Sequence, residues 1–100
     1  MRRAWALVAL GAAVLCGCAG DQEVKRWAGQ WLAHEGAGLR GEPGSPEALA
    51  QVARAAPTRA DRDMARFGQA RALRAQGRDR EAFGLFTSLA DTAMRRMDRA

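Results

Sequence analysis

The run DREAFGLFTSLADTAMRRM, Asp79 to Met97, decides the fold class. Ala82, Leu85, Phe86, Leu89, Ala93 and Met97 recur at helical spacing, so one side of this segment is apolar. Asp79 stands where a capping carboxylate belongs, and Glu81 adds negative charge to the first turn, where the helix dipole favours it. Working back, Gly77 closes a preceding helix that Thr58 opens, with Asp61 three residues on as in a capping box. Its stripe is Ala60, Met64, Phe67 and Ala70, with Leu73 extending the apolar surface. Further back, Ser45-Pro46-Glu47 reads as a helix start: a capping hydroxyl, Pro at the first helical position and an acid in the first turn. Leu49, Val52, Ala53 and Ala56 form its apolar face and Pro57 closes it. Asp21 to Glu35 gives a first helix, capped by Asp21, ended by Gly36 and carrying Val24, Trp27, Ala28 and Trp31. No segment alternates as a half-buried strand would. The expectation is an all-α chain of three or four helices.

Between Gly36 and Pro46 stand four glycines and two prolines, the composition of a mobile linker. The expected organisation is thus residues 1–17, 18–35, 36–46 as linker, and a helical module over 47–100. Trp27 and Trp31 are four apart and share a face. Two uses of that face are open: packing on the rest of the domain, or resting on lipid headgroups, where indoles are favoured.

The amino terminus reads differently. Met1-Arg2-Arg3 precedes a segment from Ala4 to Leu15 with no charge, the layout of an export signal. Even counted to Gly20 the uncharged run is 17 residues, short of the ~20 that a spanning helix needs. Leu15-Cys16-Gly17-Cys18 then resembles a bacterial lipobox, in which a Leu, a permissive residue and a small residue precede the modified Cys. The resemblance implies that the Cys18 thiol is diacylated with palmitate-type chains, that the chain is cut between Gly17 and Cys18, and that the new amine is acylated. Leu15 and Gly17 flank the cut, and Cys16 leaves with the signal. A disulfide between Cys16 and Cys18 is the competing use of two exported thiols. Two or more acyl chains make a stable anchor where one does not. Ala19 in place of Asp favours, by the sorting habit of such lipoproteins, the outer membrane facing the periplasm.

Removing the signal also changes the charge. Without Arg2 and Arg3 the 16 basic residues become 14 against 11 acidic, a net of +3. From Arg59 to Arg80 the two signs are interleaved, as on a solvated helix face. That balance, with export, argues against a nucleic-acid partner.

Arg66 to Met94 resembles a single tetratricopeptide repeat: two helices joined by the turn Gln76-Gly77-Arg78-Asp79, with Ala82 and Phe86 in that family's Ala-x-x-x-Phe pattern. Ala70 and Leu73 fall at its small and bulky positions. Gln69, Arg66 and Met94 depart from its Leu, Trp and Pro. The resemblance implies a helical hairpin that needs stacked neighbours or a partner to bury its core.

No catalytic set is present. His34 is the single histidine, with only Glu35 near it, so no metal site forms, and no cofactor motif exists. Asp61 and Asp63 lie on different faces among arginines. The glycine-rich stretch lacks the Lys and Ser/Thr of a phosphate loop. The expected function is a non-enzymatic, lipid-anchored interaction or assembly module. It is held to the bilayer through Cys18, completed by an envelope protein or by self-association, and has no small-molecule substrate. The other open readings are a membrane-active lipoprotein that uses its Trp-bearing helix in lysis or envelope stress, and a spacer with no partner.

Overall fold

The computed structural model describes the backbone of residues 2–99 and the side chains of residues 21–99. Four helices follow one another: α1 (Arg2–Leu39), α2 (Ser45–Arg54), α3 (Arg59–Ala75) and α4 (Asp79–Arg99). Among the described residues no strand occurs, and the chain is all-α. Leu15, Gly17 and Cys18 lie outside the described side chains.

The first connection differs from the sequence expectation. Asp21 is an interior residue of α1 rather than its cap, and the helix does not stop at Gly36. It runs to Leu39, because what ends a helix is a left-handed residue just past it. Gly41 supplies that with φ of 72°. Its N–H donates to the Gly38 carbonyl at 3.0 Å, and the Glu42 N–H donates to the Ala37 carbonyl at 3.1 Å. Gly38 is glycine for another reason: a Cβ there would lie 2.7 Å from the Ala72 Cβ and 3.3 Å from Leu49 Cδ1. The absent side chain lets α1 close on α3. Residues 36–46, expected as a linker, are therefore the packed end of α1, a tight turn, and the first turn of α2, where Ser45 and Pro46 are buried. Ser45 does not cap α2 either. Gly44 holds that position, and the Ser45 hydroxyl donates back to the Glu42 carbonyl at 2.7 Å.

The next two turns follow their residues. The Asp61 N–H donates to Thr58 Oγ1 at 3.1 Å, and the Thr58 hydroxyl donates to the Asp61 carboxylate at 2.8 Å, so one side-chain pair closes the start of α3. At its end Gly77 has φ of 76°, with the Arg78 N–H on the Leu73 carbonyl at 2.9 Å.

Helix α3 is the hub and packs against α1, α2 and α4, whereas α4 packs on α3 alone among the described residues. This explains a second departure. Of the stripe Ala60, Met64, Phe67, Ala70 and Leu73, only Ala70 and Leu73 are buried. The remaining buried positions are Ala65, Gly68 and Ala72. A helix with neighbours on several sides uses small residues where backbones approach and leaves large ones at the edges. Trp27 fills the space so left, in a cluster with Val52, Ala53 and Ala65. Its Nε1 donates to the Val52 carbonyl at 2.7 Å, giving a buried indole its partner. Of the two uses open to that face, Trp27 takes packing.

Candidate functional site

On the side of α3 away from α2, the chain leaves an apolar groove of about 470 Å³. Trp31 of α1 forms one wall, Met64 and Phe67 of α3 the floor, and Leu89 and Ala93 of α4 the other wall. Trp31 is held by stacking on Trp27, with ring centroids 6.2 Å apart and planes within 2°. It lies over Gly68, where a Cβ would come 3.5 Å from the indole nitrogen. That nitrogen is buried without a hydrogen-bond partner, which costs about 1–3 kcal/mol for a group of this kind. Phe67 meets Phe86 edge-to-face at 5.3 Å, so the apolar surface runs on to the next turn of α4.

The groove's charged rim is neutralised. Arg71 pairs with Glu35 at 3.2 Å and sits 6.0 Å from the Phe67 ring centre. Arg96 pairs with Asp63 at 2.7 Å, tying the carboxyl half of α4 to the start of α3.

None of the residues singled out in the hairpin lines this groove, though Phe86 adjoins it through Phe67. Ala70 and Leu73 are buried on α3, Ala82 is buried where α4 crosses it, and Phe86 is half-buried beside Phe67. Gly77 makes the turn, which is fastened by Arg78: its guanidinium donates to Glu47 of α2 at 2.8 Å and to Glu81 of α4 at 2.6 Å. The Arg78 hydrogen bond holds the Glu47 carboxyl below its ordinary pKa, and the two carboxylates, Glu47 first, raise that of Arg78. Leu85 and Leu89 are half-buried, and Ala93 and Met97 are exposed, so the stripe expected on α4 is only partly covered.

A second cleft, about 550 Å³, lies between α2 and α3, with Arg54, Arg62 and Arg66 around a floor of Ala50 and Ala53. Sequence reading missed it, since it needs two helices brought side by side. It concentrates positive charge but contains no acid, base or nucleophile. His34 is half-buried on the far side of α1, near Gln30 and Gln51. Among the described residues no three of His, Cys, Asp and Glu are grouped to hold a metal, and no helix is long and apolar enough to cross a membrane.

Compared with known proteins, the chain matches no family model, no curated relative and no solved structure.

Proposed function

We propose that this chain is a lipid-anchored lipoprotein of the bacterial envelope, held in the outer membrane facing the periplasm by acylated Cys18. Its helical part acts as a non-catalytic interaction or assembly module. The observation that carries the second half is the groove between Trp31, Phe67 and Leu89, an apolar surface whose rim carboxylates, Glu35 and Asp63, are each paired with an arginine. The first half rests on Leu15-Cys16-Gly17-Cys18 after an uncharged amino-terminal run. A cut before Cys18 leaves only Ala19 and Gly20 before Asp21, the first residue whose side chain is described, so the module would stand close to the bilayer. The membrane-active reading draws less support, because Trp27, one of its two indoles, is committed to Val52 in the core.

Metabolic labelling with a fatty acid, followed by membrane fractionation, tests the anchor. Label and outer-membrane recovery are expected for the unsubstituted chain and neither for Cys18→Ser. Label that persists in Cys18→Ser overturns the assignment. Binding of the full chain to vesicles tests the competing use of Trp31: an unchanged extent in Trp31→Ala is expected, and a large loss would favour the membrane-active reading.

A further inference from the structure

Helix α4 is apolar over more of its circumference than one neighbour can cover. At about 100° per residue, the arc from Leu85 through Leu89, Ala82, Ala93, Phe86, Met97, Ala90, Phe83 and Met94 to Thr87 spans roughly 200°, its charged members being Arg96, paired with Asp63 of α3, and Asp79 in the first turn. Helix α3 covers the part around Ala82. The remainder carries some of the most exposed large side chains of the protein: Phe83 at 73%, Met94 at 64% and Met97 at 77%. Phe83, Thr87, Ala90, Met94 and Met97 follow one another at steps of four and three, the spacing of a helix–helix seam. Met64 at 46% and Phe67 at 49%, across the groove, adjoin it through Phe86 and Ala93.

We propose that this surface pairs two copies of the chain, α4 against α4 in antiparallel fashion about a two-fold axis at Ala90. Three features of α4 select a second copy as the occupant. The seam is self-complementary in this register: Phe83 comes level with the partner's Met97, Thr87 with the partner's Met94, and Ala90 with the partner's Ala90, the small residue standing where the helices approach most closely. The charge is complementary as well. Arg80 and Asp98 flank the seam on the same edge, neither is in an ion pair among the described residues, and Arg80 comes level with the partner's Asp98 to within about 3 Å. The area suffices. With about 200 Å² per large residue, the exposed fractions of Phe83, Met94 and Met97 together with Met64 and Phe67 of α3 amount to on the order of 600 Å² per copy, so a pairing that also covers the two α3 residues buries on the order of 1,200 Å², the lower bound of specific interfaces at ~1,200–2,000 Å². The contact uses the same patch on both copies and closes on itself, giving a dimer rather than a filament.

This deepens the interaction-module reading by naming the partner of its uncovered face, and takes nothing from the anchor. The test is thiol-specific cross-linking of the full chain carrying Ala90→Cys, compared with Ser88→Cys on the opposite side of α4 and with the unsubstituted chain. A dimer band is expected for Ala90→Cys and none above background for Ser88→Cys. Adding Phe83→Glu or Met94→Glu should lower the yield at least about tenfold, since each would bury an unpaired charge. Both positions are exposed, so the helical circular dichroism should not change. Equal yields at Ala90 and Ser88, or a yield insensitive to both glutamates, would overturn the pairing. So would a monomer whose binding to vesicles is lost in Phe83→Glu, which would assign the face to lipid. A monomer that still incorporates fatty-acid label at Cys18 refutes the pairing and leaves the anchor standing.

Discussion

The two flanks of α3 are built from opposite materials. Toward α1 and α2 it presents Ala65, Gly68 and Ala72, and the gap is filled from outside by Trp27, Leu49 and Val52. Toward α4 and the groove it presents Met64 and Phe67, and these remain half exposed because nothing comparable closes over them. On the first side two helix backbones are close enough that Gly38 has no room for a methyl group. On the second, α4 buries Ala82 alone. Close approach seals the first flank and makes it the stability of the domain. The second flank leaves apolar surface available, and it is the surface that the proposed interaction module would use.

The sharpest way to break this comparison is to hollow out the sealed flank. Leu49 is fully buried and Trp27 nearly so. Leu49→Ala should cost ~2–5 kcal/mol and Trp27→Ala ~3–5. For a domain of this size each kcal/mol lowers the thermal midpoint by roughly 4–8 °C, so a melt followed by circular dichroism suffices. A loss of only a few degrees in both would mean that this flank is not the core.

Overfilling the same contact comes next. Gly38→Ala places a methyl against Ala72 on α3 and should cost ~1–3 kcal/mol. Ala72→Gly should recover part of that loss in the double variant, because the two changes act at one contact. Strict additivity would place the clash elsewhere.

On the open flank the effects should be graded. Ala82→Leu, at the one buried position of α4, should cost ~1–3 kcal/mol. Phe86→Ala should fall below the ~3–5 kcal/mol of a fully buried ring, because Phe86 is half-buried. In the monomer, at high dilution, Ala90→Leu should stay within about 0.5 kcal/mol. Three equal losses would mean that α4 is covered all round.

The smallest effect concerns the Arg78 clasp. Arg78 holds the pKa of Glu47 below its ordinary value of 4.5. The contribution is therefore present above that value and is lost as the pH falls through the depressed one. The pair is at the surface, so the midpoint of Glu47→Gln should be slightly below that of the unsubstituted chain at neutral pH and equal to it in acid. A difference that grows on acidification would contradict the clasp.

Much of this was legible in the residues. Thr58 with Asp61 and Gly77 carry their geometry locally, and the stripe of Leu49, Val52 and Ala53 reports the one side on which α2 is covered. The stretch after Glu35 misled because glycine has two uses. Gly41 ends a helix through its φ, whereas Gly36 and Gly38 stay helical, and Gly38 is small only because Ala72 lies opposite. Nothing local distinguishes them, since the deciding neighbour is more than 30 residues away. The same holds for α3: periodicity picked out the large residues Met64 and Phe67, while the buried face was set by small ones. The groove itself is formed by three helices: periodicity marked Ala60, Met64 and Phe67 on one helix, Leu89 and Ala93 on another and Trp31 on a third as apolar-face residues, but nothing local says that the three faces meet.

Amide hydrogen exchange along the full chain most directly tests the division between a sealed and an open flank. In the monomer, at high dilution, Ala65 to Leu73 should exchange slowest and Asp91 to Arg99 fastest among the helical residues. Adding Met94→Glu should leave the slow set unchanged. Equal protection of α3 and the last two turns of α4 under those conditions would contradict it.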